Sequence, residues 1–200
     1  MKSLLFASLL VLAVLPMCKP DASKSTATAT NSPASPAAVR AQFDILRDSA
    51  DVNWQRMVAS DDKKNADLRE LLQDLSKYPG ANQAQLEGLR AARARLAKQR
   101  YDRASMASSA LIDRYDTAQD SVLKIVLPLA APGGNAPSER VRDYVEAIQL
   151  ADNNVVSYRA HYDAAAKAYN NYLQVHGEEL QKMGGNYANL PRLPLFEIAQ

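Results

Sequence analysis

The chain has 200 residues, a formal charge of +2, two histidines and one cysteine. Charge this evenly balanced lacks the basic footprint of a nucleic-acid binder, and a lone cysteine excludes an internal disulfide. Glycine is scarce, at seven residues, while alanine and leucine are frequent, a mix that favours helix.

Residues 1–18 hold a basic start at Lys2, an apolar run from Leu4 to Leu15, and the tetrapeptide Leu15-Pro16-Met17-Cys18. A charged start followed by an apolar core of about 7–15 residues reads as a secretory signal, too short to span a bilayer as a mature helix. Cys18 sits where such a signal would be cut. The pattern resembles the lipobox of bacterial lipoproteins, in which the cysteine becomes the acylated first residue, although Met17 stands where a small residue is usual. The resemblance implies lipidation at Cys18 and an extracytoplasmic position on a bacterial membrane.

Residues 19–38 contain no large apolar side chain and are dominated by Ser, Thr, Ala and Pro. Such a stretch buries too little surface to offset the entropy of ordering it, which predicts a flexible tether. Fully extended, it would reach roughly 60–70 Å.

Helical periodicity then begins. Val39, Phe43, Leu46, Ala50, Trp54 and Met57 step by three and four, and Leu68, Leu71, Leu72, Leu75 and Tyr78 continue the pattern until Pro79-Gly80. Ser60-Asp61-Asp62 offers N-cap residues between the two runs, so they read either as two helices or as one kinked helix. Asn82 with Gln85 reads as a capping box opening a third helix. Its apolar face runs through Leu86, Leu89, Leu96, Ala104, Ala107, Leu111, Tyr115, Ala118, Val122 and Ile125. Pro128 ends it, and 128–137 reads as a loop.

The fourth helix carries the cleanest seam. Val141, Tyr144, Ile148, Ala151, Val155, Tyr158, Tyr162, Ala165, Tyr169, Tyr172 and His176 alternate steps of three and four, the spacing of helices packed side by side. Gly177 and Gly184-Gly185 mark its stopping points, and 186–200 reads as a proline-containing tail. The predicted fold is all-α: an elongated antiparallel bundle of about four long helices over 39–185, with Trp54, Leu72, Leu111, Ile148, Val155 and Tyr162 in its core.

Tyr162-Asp163, Tyr169-Asn170, His176-Gly177 and Phe196-Glu197 resemble the end of LemA-family proteins. There, a Tyr-Asn pair repeated seven residues apart precedes Phe-Pro, a Gly-rich stretch and a terminal aromatic. Trp54, Asp67-Leu68 with Leu72, and Ala92-Arg93 are similar to motifs of the family's first half. Arg69-Glu70-Leu71 stands where the family carries Ile-Pro-Asn, Asp163 replaces the first Asn, and His176-Gly177 replaces Phe-Pro. The resemblance implies a four-helix bundle held at a bacterial membrane, with Tyr162, Tyr169 and Asn170 as surviving motif residues.

Two uses of the tyrosine seam follow from its composition. The rings of Tyr158, Tyr162, Tyr169 and Tyr172 either pack between helices with their hydroxyls reaching polar groups, or form a groove that stacks a peptide or glycan. A groove requires at least two of them widely exposed in a cleft. Tyr162 and Tyr169, seven residues apart, are expected to meet one neighbouring helix, with Asp163 and Asn170 bonding polar groups at the seam's edge.

His161 and His176 stand fifteen residues apart, not the three or four of ligands one helical turn apart, so no metal or cofactor is expected. The basic residues between Arg90 and Arg103 project all round a helix and form no stripe, which predicts a salt-bridged surface. No nucleophile elbow, phosphate loop or zinc-protease motif occurs. The reading is a lipid-anchored envelope protein that interacts or scaffolds without catalysis, its envelope protein partner unknown. The alternative is a ligand module built on the tyrosine seam.

Overall fold

The computed structural model describes residues 35–130 and 138–196, which are helical with no strand. The expected signal, Cys18 and residues 19–34 of the expected tether lie outside the described residues, as does Glu197.

The α-helices of the described residues are α1 (Pro36–Leu75), α2 (Gln83–Gln99), α3 (Ser109–Leu129), α4 (Glu139–Asn153) and α5 (Val155–Lys182). Helix α1 opens three residues before Val39. The Ser35 side chain accepts the Ala38 N–H and Pro36 occupies the first turn, where its missing donor costs nothing.

The two runs expected before Pro79 form this single 40-residue helix. Ser60-Asp61-Asp62 causes no break, because Asp61 turns its carboxylate onto α3 instead of back onto its own backbone. The expected capping box opens α2, with Asn82 Oδ1 accepting the Gln85 N–H at 3.1 Å.

The third helix is not continuous. Between α2 and α3 the chain leaves helix at Arg100 and makes a short 3₁₀ turn over Ser105–Ala107. Asp102 Oδ1 accepts both the N–H and the hydroxyl of Ser105, while Ser105 Oγ accepts the Asp102 N–H. This local exchange offers the backbone an alternative to the helical ladder. The break buries Tyr101 and Met106, leaves Ala104 and Ala107 exposed, and resets the phase of α3. Ile112 therefore takes the core place expected of Leu111, which is half-buried. Helix α3 also runs through Pro128 to Leu129, past the expected stop.

The expected fourth helix divides into α4 and α5 at Asn154 alone, where the backbone still bonds back to Leu150 and receives Tyr158. Val155, beside the division, is half-buried. Trp54, Leu72, Ile148 and Tyr162 are buried as expected.

Helix α1 is the common neighbour: it packs along α4 and α5 on one side and against α2, which pairs with α3. The main core runs from Trp54 through Leu72, Leu89, Val126 and Ile148 to Tyr162. A second cluster, Val39, Phe43, Tyr169 and Leu180, joins the start of α1 to the far part of α5. The basic residues of α2 and the following connection bind back onto α1. Arg93 Nε donates to the Asn65 carbonyl, Arg100 pairs with Asp61 and Asp62, and Arg103 pairs with Asp51.

Candidate functional site

Beyond α5 the chain turns back at Gly184 and Gly185, whose positive φ values of 71° and 56° suit glycine and strain other residues. A 3₁₀ turn over Gly185–Tyr187 follows, fixed by the Tyr187 hydroxyl against Asp44 at 3.0 Å. Residues 191–196 then run without helix or strand, and their backbone has no ladder partner. Buried backbone groups must be bonded somewhere. Here, α5 supplies the partners.

The Tyr169 hydroxyl donates to the Pro191 carbonyl at 3.2 Å. Asn170 grips Leu193 twice: Nδ2 donates to its carbonyl and Oδ1 accepts its N–H, both at 2.8 Å. The Tyr162 hydroxyl donates to the Pro194 carbonyl at 3.1 Å, and Asp163 Oδ1 accepts the Phe196 N–H at 2.9 Å. Residues 162, 163, 169 and 170 repeat every seven along one helical face, so they meet an extended segment at successive positions.

Behind these polar contacts the rings pack on α1. Tyr162 lies edge-on to Trp54 at 5.4 Å, and Tyr169 meets Phe43 at 5.1 Å. Both tyrosines are buried, while Tyr158 and Tyr172 are half-buried. The expected meeting of both rings with one helix is thus observed, and α1 is that helix. The wide exposure that an open aromatic groove would need does not occur at any of the four.

Phe196 ends the described segment in a pocket of its own. Its ring stands edge-on to Tyr101 and Tyr162, each at 5.8 Å, with the Arg159 guanidinium 5.1 Å above it. Arg159 is held by both oxygens of Asp116, at 2.7 and 2.8 Å, and donates to the Tyr101 hydroxyl at 3.1 Å. The irregular stretch after α2 therefore serves the site, since it delivers Tyr101 to the pocket.

Burial sets the acid–base character of these tyrosines. It pushes Tyr162 up to about 12, against the opposing pull of the Arg103 guanidinium, and also raises Tyr169 and Tyr101. Both Tyr162 and Tyr169 are therefore neutral donors near pH 7, as their bonds to carbonyls require. Burial works against the Arg159 charge, but Asp116 and Tyr101 outweigh it and raise its pKa.

A second polar region lies deeper. Asp61 accepts from Gln119 Nε2 and from the Tyr115 hydroxyl, each at 2.6 Å, and from Arg100 at 3.3 Å. The buried Lys64 donates to Gln119 Oε1 at 2.5 Å and to Asp152 at 3.1 Å. Asp61, Lys64, Tyr115 and Gln119, with Trp54, Tyr101 and Arg159, border a cavity of about 30 Å³, room for little more than a water molecule. Burial first, and then the Asp61 charge, raise the pKa of Tyr115.

Compared with known proteins, the chain matches no family model, no curated protein and no solved structure. The α5 site unites three residues singled out by sequence, Tyr162, Tyr169 and Asn170, with Asp163 beside them. Sequence reasoning missed Tyr101 and Arg159, which meet Phe196, and Asp116, which holds Arg159. It also missed Phe196 as an anchor, although Leu190, Leu193, Leu195 and Phe196 are more apolar than a solvated tail requires.

Proposed function

We propose that the chain is a lipid-anchored, extracytoplasmic helical-bundle protein of LemA type, which works at a bacterial envelope by holding a protein partner and not by catalysis. The observation that carries this reading is the use of the α5 motif. Tyr162, Asp163, Tyr169 and Asn170 bond the main chain of an extended segment while Phe196 fills a pocket. Backbone bonds with a side-chain pocket are a general geometry of peptide recognition.

The anchoring half of the proposal draws on sequence: Lys2, the apolar run to Leu15, Cys18, and a Ser/Thr/Ala/Pro stretch before the capped start of α1. No helix among the described residues is long and apolar enough to cross a membrane. A lipid on Cys18 would supply the attachment, and the several chains of a lipoprotein hold far more firmly than one. The repeated Tyr pair and the aromatic near the end favour the LemA likeness.

Fractionation tests the anchor. Cys18→Ala is expected to leave the membrane fraction for the soluble one, or to accumulate as uncut precursor. If the variant is processed and stays in the membrane as before, the lipid anchor is refuted.

A further inference from the structure

The segment 191–196 resembles a bound ligand more than a structural element. It contributes no helix or strand, and the backbone bonds described above all come from α5 side chains. It joins the bundle through Gly184-Gly185, where a Cβ would meet nothing within 4 Å, and the link is held on the far side by Tyr187, which packs on Phe43 and bonds Asp44. Pro191 and Arg192 are exposed, and Leu193 to Phe196 only half-buried. Segments of this kind open at low free-energy cost relative to a core helix.

The resident segment also leaves the site incompletely satisfied. Asp163 is 3% exposed, yet among the described residues its Oδ2 has no hydrogen-bond partner, and Arg159 Nε is likewise buried without one there. Both residues touch Phe196: Asp163 through the Phe196 N–H, and Arg159 over the ring. A buried acceptor without a donor is costly. A ligand that brings one more N–H or O–H to this corner would fit the site better than the resident chain does.

We propose that the α5 face is a peptide-binding site, and that residues 191–196 are its displaceable resident. Its ligand is an extended, proline-interrupted segment of another protein, with Leu and an aromatic three positions apart and a donor beside the aromatic. Asn170 and the two tyrosine hydroxyls read the main chain, which tolerates sequence variation. The Phe196 pocket, walled by Tyr101, Tyr162 and Arg159, supplies the selectivity. The link to α5 gives the resident a millimolar-scale effective concentration, so it holds off weak ligands and yields to tighter ones.

This deepens the reading of the chain as an interaction protein by naming the partner's chemistry. It does not depend on Cys18, so the fractionation experiment and the peptide experiment can fail separately. The probe is a fluorescein-labelled, end-capped peptide of residues 189–196, titrated by anisotropy into the full chain. Phe196→Ala, which weakens the resident without altering the groove, is expected to bind the peptide at least about tenfold more tightly than wild type. Adding Asn170→Ala should abolish that gain.

If the Phe196→Ala chain, helical by circular dichroism, binds no peptide at millimolar concentration, the proposal is overturned. Binding that ignores Asn170→Ala overturns it equally. Should Phe196→Ala not fold, a protease site inserted between Gly184 and Gly185 of the otherwise unaltered chain replaces it. After cleavage the tail is expected to exchange with excess labelled peptide, and failure to incorporate the label would overturn the site. A second copy of the chain exchanging tails would instead appear as a dimer whose tail the monomeric peptide does not displace, which also contradicts the proposal.

Discussion

The tail groove on α5 and the polar cluster around Asp61 both lie between packed elements, but they hold different things by different chemistry. Around Asp61, charged groups from α1 and α4 meet the neutral Tyr115 and Gln119 of α3, and Arg100 closes the set. Donors from α1, α3 and Arg100 converge on one carboxylate, so the arrangement fixes how helices sit side by side and tolerates no exchange of partner. Along α5, mostly neutral side chains bond main-chain atoms of a segment that has no structure of its own. Such bonds are modest individually, about 0.5–1.5 kcal/mol net, and any extended chain can make them. Charged convergence fixes one register, whereas main-chain reading permits replacement.

That contrast is broken most severely at Tyr162, which belongs to both the core and the groove. Tyr162→Ala removes a fully buried ring from between Trp54 and Phe196 and should cost about 3–5 kcal/mol. Chemical denaturation measures it. Near-normal stability would remove the ring from the core.

Asp61→Ala comes next. It strands the Tyr115 hydroxyl, Gln119 Nε2 and part of Arg100 around an empty site, and about 2–4 kcal/mol is expected. Its effect should be confined to the helix packing. Peptide binding by a Phe196→Ala chain is expected to survive it, because no groove residue bonds Asp61. Equal loss of stability and of peptide binding would merge the two regions into one.

The smallest effect separates the hydroxyl of Tyr162 from its ring. Because burial raises this pKa to about 12 from about 10, the folded protein keeps the proton when the unfolded chain has lost it. The contribution is fully present below about pH 10 and is lost as pH climbs towards 12. In Tyr162→Phe the fall in stability between pH 10 and 12 should be shallower than in wild type, measured by denaturant midpoints across that range. An unchanged slope would detach Tyr162 from the alkaline transition.

How far each region was legible from sequence follows from what holds it. Helix identity and most of the core were readable, since Val39, Phe43, Trp54, Leu72, Ile148 and Tyr162 lie on apolar stripes that must be buried somewhere. The break after α2 was not, because an apolar repeat is blind to the local exchange between Asp102 and Ser105. Whether Asp61 caps a helix or bonds another one was open from sequence, since caps and half-buried carboxylates use the same residue types. In the groove, the spacing of Tyr162 and Tyr169 pointed to one neighbouring helix without saying which, and the structure makes it α1. The other partner was hidden, as main-chain carbonyls of Pro191 and Pro194 leave no trace in side-chain patterns. Only the apolar content of the tail hinted that it was bound.

Amide hydrogen exchange at Leu193 and Phe196 tests most directly whether α5 holds the tail. Their N–H groups are bonded to Asn170 Oδ1 and Asp163 Oδ1 and to nothing in a helix or strand. Both are expected to exchange well below free-peptide rates in the native protein, and Asn170→Ala should return Leu193 to near those rates while the core amides of α1 stay protected. Free-peptide exchange at both amides in the wild-type protein, with the helices intact, would contradict the account.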